Sequence, residues 1–295
     1  MHMGHNNHRY VLITAAKDEE ACIRQVLQSV VEQTRVPRLW AIVSDGSTDR
    51  TDEFVTDFAR RYDFIRLIRL ANEGSRAFSS QAFASNAGYE TIKHTEFDFV
   101  GFLDADISLE ASYYEKVLDR LEANPKLGIA GGQVFEPRGG RFDARFGNSD
   151  DCVAGAIQLF RRQCYEDVGG LIPLHYGGHD SVANAMARRK GWEVRSFSDL
   201  RVFHHRPTGT AGSTVWRARF RDGMADYFMG YDALFEIGKC LRRVMEQPFC
   251  LGSVARLLGY VFPGLTGQKP MVSDDFVRYL RHEQISRVWH SVFGR

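Results

Sequence analysis

Residues 97–106 read FDFVGFLDAD. The run from Phe97 to Leu103 has the apolar character of a strand buried in a sheet. It ends at Asp104 and Asp106, two carboxylates that are separated only by Ala105. In an open α/β sheet ligands bind beyond the carboxyl ends of the strands, which is where these aspartates would fall. Two hard oxygen ligands with one spacer can share a divalent cation that in turn holds a diphosphate. The alternative is a surface turn, because Asp is a common turn residue.

Strand and helix patterns alternate on the amino-terminal side of this stretch. The predicted strands are 10–14, 39–43, 65–70 and 97–103, and the predicted helices between them are 19–33, 51–61 and 79–93. A β-α-β-α alternation of this kind is typical of parallel strands joined by right-handed crossovers. The sequence therefore predicts an α/β fold with a doubly wound, mostly parallel sheet.

The pattern is looser after Asp106. It predicts helices at 111–123 and 180–190, the second with Asp180 as its N-cap, and strands at 128–135, 156–160, 194–197 and 200–204. Residues 137–149 are rich in glycine and arginine and are interpreted as a loop over a site. Beyond Arg206 the pattern is helical, at 215–229, 233–245, 253–262 and 275–292. We place boundaries that give a disordered leader at 1–9, a catalytic domain at 10–206 and a helical C-terminal extension at 207–295.

Composition excludes several classes of protein. The net charge of the 295-residue chain is +1, so bulk charge does not indicate nucleic-acid binding. Its five cysteines are scattered, which argues against a zinc site or a disulfide scaffold and fits a reducing cytosol. The amino terminus lacks the apolar core of a signal peptide, and we find no apolar run long enough to predict a spanning helix. We therefore expect a cytoplasmic protein.

The charge is unevenly distributed along the chain. From Arg206 onward there are 13 Lys/Arg against 8 Asp/Glu, which leaves 25 against 29 in the preceding part. A basic tail indicates contact with something anionic, or simply a solvated helical surface. Residues 248–265 are apolar but are interrupted by Arg256, and Pro263 is expected to end the helix there. That segment is either a buried helix or one that lies in a membrane interface.

Polar loops follow the other predicted strands at the same edge. They read TAAKDEE at 14–20, SDGSTD at 44–49 and NEGSR at 72–76. Asp45 is placed to accept hydrogen bonds from a base or a ribose, unless it is only a turn residue before a glycine. Gly74 permits close backbone approach, and Arg76 can pair with a diphosphate. Loops from four strands that converge on one edge have the geometry of a nucleotide site.

These motifs together resemble those of the family 2 glycosyltransferases of the GT-A fold. The matching positions are 14–20, Asp45-Gly46-Ser47-Thr48-Asp49, Asn72-x-Gly74, Asn86-x-Gly88, Asp104-x-Asp106, Gly177-Gly178-His179-Asp180 and His204-His205. The resemblance spans residues 10 to 206, and its specificity comes from the order and spacing of motifs that are each weak alone. One position departs from the family pattern, because His179 stands where the family has the Glu of a Glu-Asp pair.

The resemblance implies a nucleotide diphosphate sugar as donor, most simply a UDP-sugar, a divalent Mn²⁺ or Mg²⁺ ion, and inversion at the anomeric carbon. Asp180 would be the general base, although a role as helix cap is the alternative. The other implied roles are nucleotide binding by Thr14, Ala15, Glu19, Asp45, Gly74, Arg76, Asp104 and Ala105, and metal binding by Asp106, Asp104 and His204.

The implied acceptor is a saccharide or a lipid-linked hydroxyl used in cell-surface polysaccharide or glycolipid synthesis. The C-terminal helices are expected to give peripheral contact at the inner face of the cell membrane. Two other readings stay open. One is a sugar nucleotidyltransferase, although the loop at 14–20 lacks the glycine- and basic-rich character of that class. The other is a non-catalytic module that only binds nucleotide sugars.

Overall fold

The computed structural model of the protein describes residues 9–70, 78–145, 147–206, 214–245 and 249–293. Its strands are β1 (Tyr10–Ala16), β2 (Leu39–Ser44), β3 (Ile65–Arg69), β4 (Phe99–Leu103), β5 (Ile107–Leu109), β6 (Leu127–Arg138), β7 (Arg141–Ala144), β8 (Ile157–Arg161) and β9 (Glu193–His204). Its helices are α1 (Ile23–Val31), α2 (Thr51–Ala59), α3 (Phe78–Ile92), α4 (Tyr113–Ala123), α5 (Arg162–Val168), α6 (His179–Arg189), α7 (Val215–Phe228), α8 (Ala233–Arg242), α9 (Leu251–Leu265) and α10 (Asp274–Phe293).

The sheet has the order β3-β2-β1-β4-β8-β6-β9-β5, with β7 paired to β6. Strands β3, β2, β1 and β4 are parallel, as the alternating pattern predicts. Beyond β4 the pairing becomes mixed, because β8 runs antiparallel to both β4 and β6. The predicted α/β fold with C-terminal helices is confirmed, and the four parallel strands end at one edge.

Apolar side chains of the sheet and its flanking helices form one large core. All residues of β2 and β4 are buried, which explains why these strands are apolar throughout rather than alternating. A second, smaller core joins α6 to the C-terminal helices through Val182, Ala225, Met229, Phe276 and Leu280. The helical extension is therefore packed against the sheet unit. The predicted boundary at 206/207 falls next to residues 207–213, outside the described residues, and stays a prediction.

Several predicted elements were wrong in detail. The segment 137–149 is not simply a loop, because β6 continues to Arg138 and β7 returns antiparallel to it. Gly139 and Gly140 both have positive φ, +59° and +82°, and two such residues suit the tight turn of a hairpin. The two strands predicted at 194–204 are one strand, β9, with an irregularity in its pairing to β6.

Other differences lie at short or proline-containing elements. The short β5 and α5 had no strong periodic pattern and were missed. Pro263 lies inside α9, which continues to Leu265, rather than ending it. None of the helices in the described parts of the chain is long and apolar enough to cross a bilayer.

Candidate active site

The carboxyl ends of β1 and β2 lie side by side. Ala16 is in register with Ser44, and the amide of Asp45 donates to the Ala16 carbonyl at 2.9 Å. The next residue, Gly46, has φ +71°, a conformation that glycine adopts without the strain of a side chain. The chain turns sharply there and leaves the buried Asp45 at the sheet edge.

The loops after β1 and β2 are tied together by carboxylates. Asp18 accepts a hydrogen bond from the Thr48 amide at 2.7 Å. Asp49 accepts from the amides of Glu20 and Thr51, both at 2.9 Å. Asp49 thus binds an amide at the start of α2, and it also holds the first loop in place. The two loops form one rigid rim at the carboxyl edge.

The nucleotide-binding residues predicted on these strands are placed differently from one another. The hydroxyl of Thr14 is fully buried and accepts a hydrogen bond from Trp40 Nε1 at 2.9 Å. Its side chain therefore fastens β1 to β2 and does not face the site. Ala15 lines a small pocket beside Asp104, and Ala105 is buried between the two site aspartates.

Gly74 and Arg76 lie outside the described residues, and their predicted roles in nucleotide binding stay predictions. The same holds for Asn72 of the motif that contains Gly74.

Asp104 lies directly after β4 and faces a crowded acidic environment. Its Oδ1 accepts from Gln81 Nε2 at 2.6 Å, and its amide donates to the Ala156 carbonyl at 3.0 Å. Burial, and then the negative charge of Asp106, raise the pKa of Asp104 to about 7. A cation close to Asp104 would relieve this unfavourable charge.

Asp106 is held by two basic side chains that arrive from the end of β9. Its Oδ1 lies 3.2 Å from His204 Nε2, and its Oδ2 accepts from Arg206 Nε at 3.1 Å and Nη2 at 2.9 Å. Arg206 Nη2 also donates to Glu19 Oε2 at 2.6 Å. On its other side, His204 Nδ1 lies 3.6 Å from Glu136 Oε1. Glu19 is therefore linked to the aspartate pair through Arg206.

These contacts set the charge states of the pair. Burial alone would raise the pKa of Asp106, but its bonds to His204 and Arg206 outweigh burial and hold that pKa below its usual value. Burial would lower the pKa of His204, but Asp106 and Glu136 outweigh it and raise this pKa to about 9. His204 is consequently a cation at neutral pH, paired with carboxylates through both ring nitrogens.

Asp180 lies on the first turn of α6, facing the turn that precedes β8. Its Oδ2 accepts from the Gly155 amide at 3.0 Å. A Cβ on Gly155 would lie 3.0 Å from the Cβ of Asp180, a tight contact that the glycine avoids. The predicted N-cap role of Asp180 is wrong, because Gly178, with φ +93°, occupies the N-cap position. The Asp180 carboxylate is thus not committed to capping its own helix.

The neighbouring His179 is buried, and its Nδ1 has no hydrogen-bond partner. Burial lowers the pKa of His179, so the ring is neutral at neutral pH. It lines the same small pocket as Gln81, Asp104 and Gly155. An unpaired polar atom at such a place is available to a ligand that enters the pocket.

Comparison with known proteins identifies a family whose model covers the part of the chain that forms this edge of the sheet. Residues 11–193 match the family model of glycosyl transferase family 2. The chain belongs to glycosyl transferase family 2. The resemblance deduced from the motifs is thereby confirmed, and the match covers the sheet unit up to the start of β9.

Two curated relatives illustrate the family. A poly-beta-1,6-N-acetyl-D-glucosamine synthase of Staphylococcus epidermidis is 30% identical over 122 residues, 41% of this chain and 27% of that protein. A beta-monoglucosyldiacylglycerol synthase of Synechocystis sp. is 26% identical over 191 residues, 64% of this chain and 38% of that protein. The matches thus span only about a quarter to two fifths of the length of these relatives.

Solved structures show the same fold. A mannosyltransferase from Pyrobaculum calidifontis in complex with GDP-Man and Mn²⁺ aligns with a TM-score of 0.55 and 15% identity, covering 98% of this chain and 88% of that one. TarS 1-349 of S. aureus in complex with UDP aligns with a TM-score of 0.55 and 12% identity, covering 88% and 72%. At such low identity the likeness establishes the GT-A-like fold alone.

Some residues of the family 2 pattern have structural contacts in this chain. Asn86 donates to the Leu171 carbonyl at 2.7 Å and accepts from the Tyr165 hydroxyl at 3.1 Å, so it ties α3 to the segment after α5. A Cβ on Gly88 would lie 2.7 Å from Ile13 Cγ2, so the glycine lets α3 pack closely on β1. This part of the motif shapes the wall of the site.

Sequence reasoning missed three side chains that the fold brings to the site: Gln81 of α3, Glu136 of β6 and Arg206. Arg206 directly follows the His204-His205 motif, and that position is the only local signal that could have identified it. Gln81 and Glu136 carry no local signal, because their partners Asp104 and His204 are remote in sequence.

Proposed function

We propose that this protein is a glycosyltransferase that moves a sugar from a nucleotide diphosphate sugar to a hydroxyl acceptor. The observation that carries the proposal is that Asp45, Asp104 and Asp106 follow parallel strands that end at one edge of the sheet, and that Asp180 bonds Gly155 in the pocket that Asp104 lines. Family membership supports the reaction class. The proposed donor is UDP-linked, and the proposed transfer inverts the anomeric centre.

A divalent ion, Mn²⁺ or Mg²⁺, is proposed as cofactor. Asp104 and Asp106 fit this role, since both present hard oxygen atoms on one turn, and a cation beside them would offset the burial and the mutual repulsion that raise the pKa of Asp104. Among the described residues no group of three or more His, Cys, Asp or Glu is arranged as ligands, so donor phosphates or water would complete the shell. When bound, the ion would act as a Lewis acid for the departing diphosphate.

His204 fits the metal less well than the two aspartates. Both of its ring nitrogens face carboxylates, at 3.2 Å and 3.6 Å, and a metal ligand needs a free nitrogen lone pair. Its predicted role as ligand stays a prediction, and its contacts support a role in positioning Asp106. Arg206 supports the same carboxylate through Oδ2.

The nucleotide is proposed to lie across the rim formed by the loops after β1 and β2. Asp45 is proposed to hold the base or ribose, with Glu19, Ala15 and Ala105 close to the same edge. Thr14 would contribute through its main chain only, because its hydroxyl is bonded to Trp40.

Asp180 is proposed as the general base. A hydroxyl acceptor is a weak nucleophile and needs a carboxylate to accept its proton as the bond to the sugar forms. Asp180 is partly exposed, and its Oδ2 accepts a hydrogen bond from the Gly155 amide. A single base on the face opposite the leaving group gives inversion in one displacement, by the logic of inverting glycosidases.

The acceptor is proposed to be a saccharide or a lipid-linked hydroxyl in polysaccharide or glycolipid synthesis. The names of the two curated relatives, one a polysaccharide synthase and one a glucosyldiacylglycerol synthase, support this class. Peripheral contact with the inner face of the cell membrane is part of the same proposal.

Calorimetric titration with UDP tests the site directly. We expect UDP to bind with Mn²⁺ present and at least tenfold more weakly in chelator, because the phosphates and the aspartates repel each other without a cation. Asp106→Asn should weaken the Mn²⁺-dependent binding, and the exposed Asp199→Asn serves as the control. GDP, titrated in parallel, tests the choice of base.

Equal affinity for UDP with and without chelator would contradict the metal role. UDP binding that is never followed by turnover of a UDP-sugar would favour the non-catalytic binding module. Incorporation of a sugar phosphate into a nucleotide would instead favour the nucleotidyltransferase.

A further inference from the structure

In the C-terminal helix α9 the small and polar residues face inward and the large apolar residues face outward, the reverse of a surface helix in a soluble domain. Its inward-facing residues are small or polar, namely Gly252, Arg256, Gly259 and Pro263. Its large apolar side chains point outward and are solvent-exposed: Leu251, Val254, Leu257, Leu258, Val261, Phe262 and Leu265. Leu258 is 59% exposed and Leu265 80% exposed, whereas Arg256 is only 5% exposed. Water is a poor environment for such a face.

The inward side of α9 is held by charge. Arg256 Nε donates to Glu236 Oε1 of α8 at 2.9 Å, and Arg256 also pairs with Asp226 and Asp222 of α7. Lys239 Nζ completes the cluster by bonding Asp226 Oδ1 at 2.9 Å. These buried ion pairs fix the rotation of α9 about its axis. The apolar face therefore points outward because of tertiary contacts and not because the end of the helix is frayed.

Close packing at two glycines also holds α9 against α7. A Cβ on Gly223 of α7 would lie 1.9 Å from the Arg256 carbonyl oxygen, and one on Gly259 would lie 1.9 Å from that of Phe220. The two helix backbones therefore touch at two points. Small residues that bring backbones together are the device by which helices associate in lipid, where no apolar driving force holds them.

The neighbouring helix α8 has the same arrangement. Its inward residues include Glu236 and Cys240, and its exposed apolar residues are Leu234, Ile237 and Leu241. Ser253 of α9 donates to the Cys240 carbonyl at 2.8 Å, so the two helices are in contact. Met245 and Phe249, on either side of residues 246–248, extend the exposed apolar set. We call these outward residues of α8 and α9, together with Met245 and Phe249, the outer apolar face.

Cationic residues flank the outer apolar face. Residues 233–269 contain five Lys/Arg, of which Arg242 and Lys269 are exposed, against two Asp/Glu, of which Glu236 is buried. The only charged residue within α9 is the buried Arg256. A second copy of this chain would bring like charge against this rim, whereas an anionic surface would complement it.

We propose that the outer apolar face docks in the interface of an anionic lipid bilayer. A helix of 15 residues is about 22 Å long, shorter than the roughly 30 Å hydrocarbon core, so α9 lies in the plane of the membrane. Leucine, valine and phenylalanine side chains enter the acyl boundary, while Arg242 and Lys269 contact headgroup phosphates. The inference deepens the peripheral membrane contact that belongs to the proposed function, and it stands on the packing of α7, α8 and α9 and not on sugar transfer.

Flotation of the full chain with vesicles tests this surface. We expect binding to phosphatidylcholine vesicles that contain about one third phosphatidylglycerol, and weaker binding to phosphatidylcholine alone. Leu258→Gln combined with Val261→Gln should weaken binding about tenfold or more, because two apolar side chains no longer enter the lipid. Val36→Gln, at an equally exposed valine on the sheet unit, is the matched control and should bind as the parent does.

The charge contribution is tested separately. Arg242→Gln and Lys269→Gln should each weaken binding to the anionic vesicles roughly fivefold and leave binding to neutral vesicles unchanged. UDP titration of every variant should give the parent affinity, so a failure of lipid binding is distinguishable from a failure of the nucleotide site.

Three outcomes would overturn the proposal. The first is lipid binding by the Leu258/Val261 variant that equals that of the parent, and the second is no binding by the parent at all. The third is a dimer in light scattering that vesicles do not dissociate and that the same variant converts to monomer, since a second copy would then cover the face.

Discussion

At the residue scale, Asp180 separates two roles that one side chain could have. Gly178, and not Asp180, is the N-cap of α6, and the Asp180 carboxylate accepts a hydrogen bond from the Gly155 amide. An Asn at position 180 can still accept that hydrogen bond. We expect Asp180→Asn to fold and bind UDP-sugar normally but to lose roughly 10²–10⁴ in kcat, the usual contribution of a general base. Steady-state kinetics measure kcat and KM, thermal melting measures folding, and Asp63→Asn, at an exposed aspartate, is the control.

Near-parental turnover by the Asn variant would place the base elsewhere. His179 would then be the first candidate, since its buried Nδ1 lacks a partner and its ring is neutral at neutral pH.

Asp45 is proposed to bind the donor and to take no part in the chemical step. It lies at the carboxyl end of β2, and its proposed contact is with the base or ribose, away from the bond that breaks. Asp45→Ala should therefore raise KM for the donor and leave kcat within a few-fold, because uniform binding energy is lost. A large fall in kcat at saturating donor would show that Asp45 acts on the reacting centre instead.

At the scale of elements, the contact between α7 and α9 depends on glycine. A Cβ on Gly259 would meet the backbone oxygen of Phe220 at 1.9 Å, and backbone cannot rotate away as a side chain can. We expect Gly259→Ala to lower the free energy of unfolding by about 1–3 kcal/mol, the usual cost of overpacking. Denaturant unfolding followed by circular dichroism measures the change.

Gly238 in α8 is the matched control, because a Cβ there meets nothing within 4 Å. Gly238→Ala should stabilise the helix by up to about 1 kcal/mol through helix propensity alone. Equal effects of the two substitutions would mean that α7 and α9 are not packed as closely as described.

At the scale of the whole molecule, the sheet unit and the helices α7, α8 and α9 are held together by different interactions. The sheet unit has its own apolar core, whereas α7, α8 and α9 are held largely by the buried cluster around Arg256. Arg256→Met leaves Glu236 buried without its cation and Asp226 with Lys239 alone, and breaking such a buried pair typically costs about 3–5 kcal/mol. We expect an early melting transition of the C-terminal helices, while UDP affinity stays close to that of the parent.

Arg278→Met is the control, since its ion pair with Asp275 is exposed and should leave melting unchanged. A single transition that shifts together with loss of UDP binding would instead show that the sheet unit and the C-terminal helices unfold as one unit.

Local patterns were sufficient for the framework of this protein. The apolar runs that form β1, β2 and β4 are buried on both faces, so their identity is written in consecutive residues, and the acidic turn at Asp104 and Asp106 follows directly. The family resemblance rests on the same order of motifs. The prediction of a loop at 137–149 was wrong, because a hairpin turn at Gly139-Gly140 depends on the pairing of two strands.

Tertiary structure decided what these side chains touch. Arg206 meets Glu19, 187 positions away, and Asp106, 100 positions away, and no local pattern carries contacts of that span. The same limit applies to Thr14, whose hydroxyl turned out to be bonded to Trp40 rather than facing the site.

The helix α9 shows most clearly what the sequence determined and what the tertiary structure decided. Its sequence alone determined an apolar helix interrupted by one arginine, which fits a buried or an interfacial helix equally well. Which face points inward was decided by Asp226 and Glu236 on other helices, because a buried guanidinium must lie where carboxylates can neutralise it. Once Arg256 is turned inward to meet them, helical geometry leaves the leucines of α9 no direction but outward.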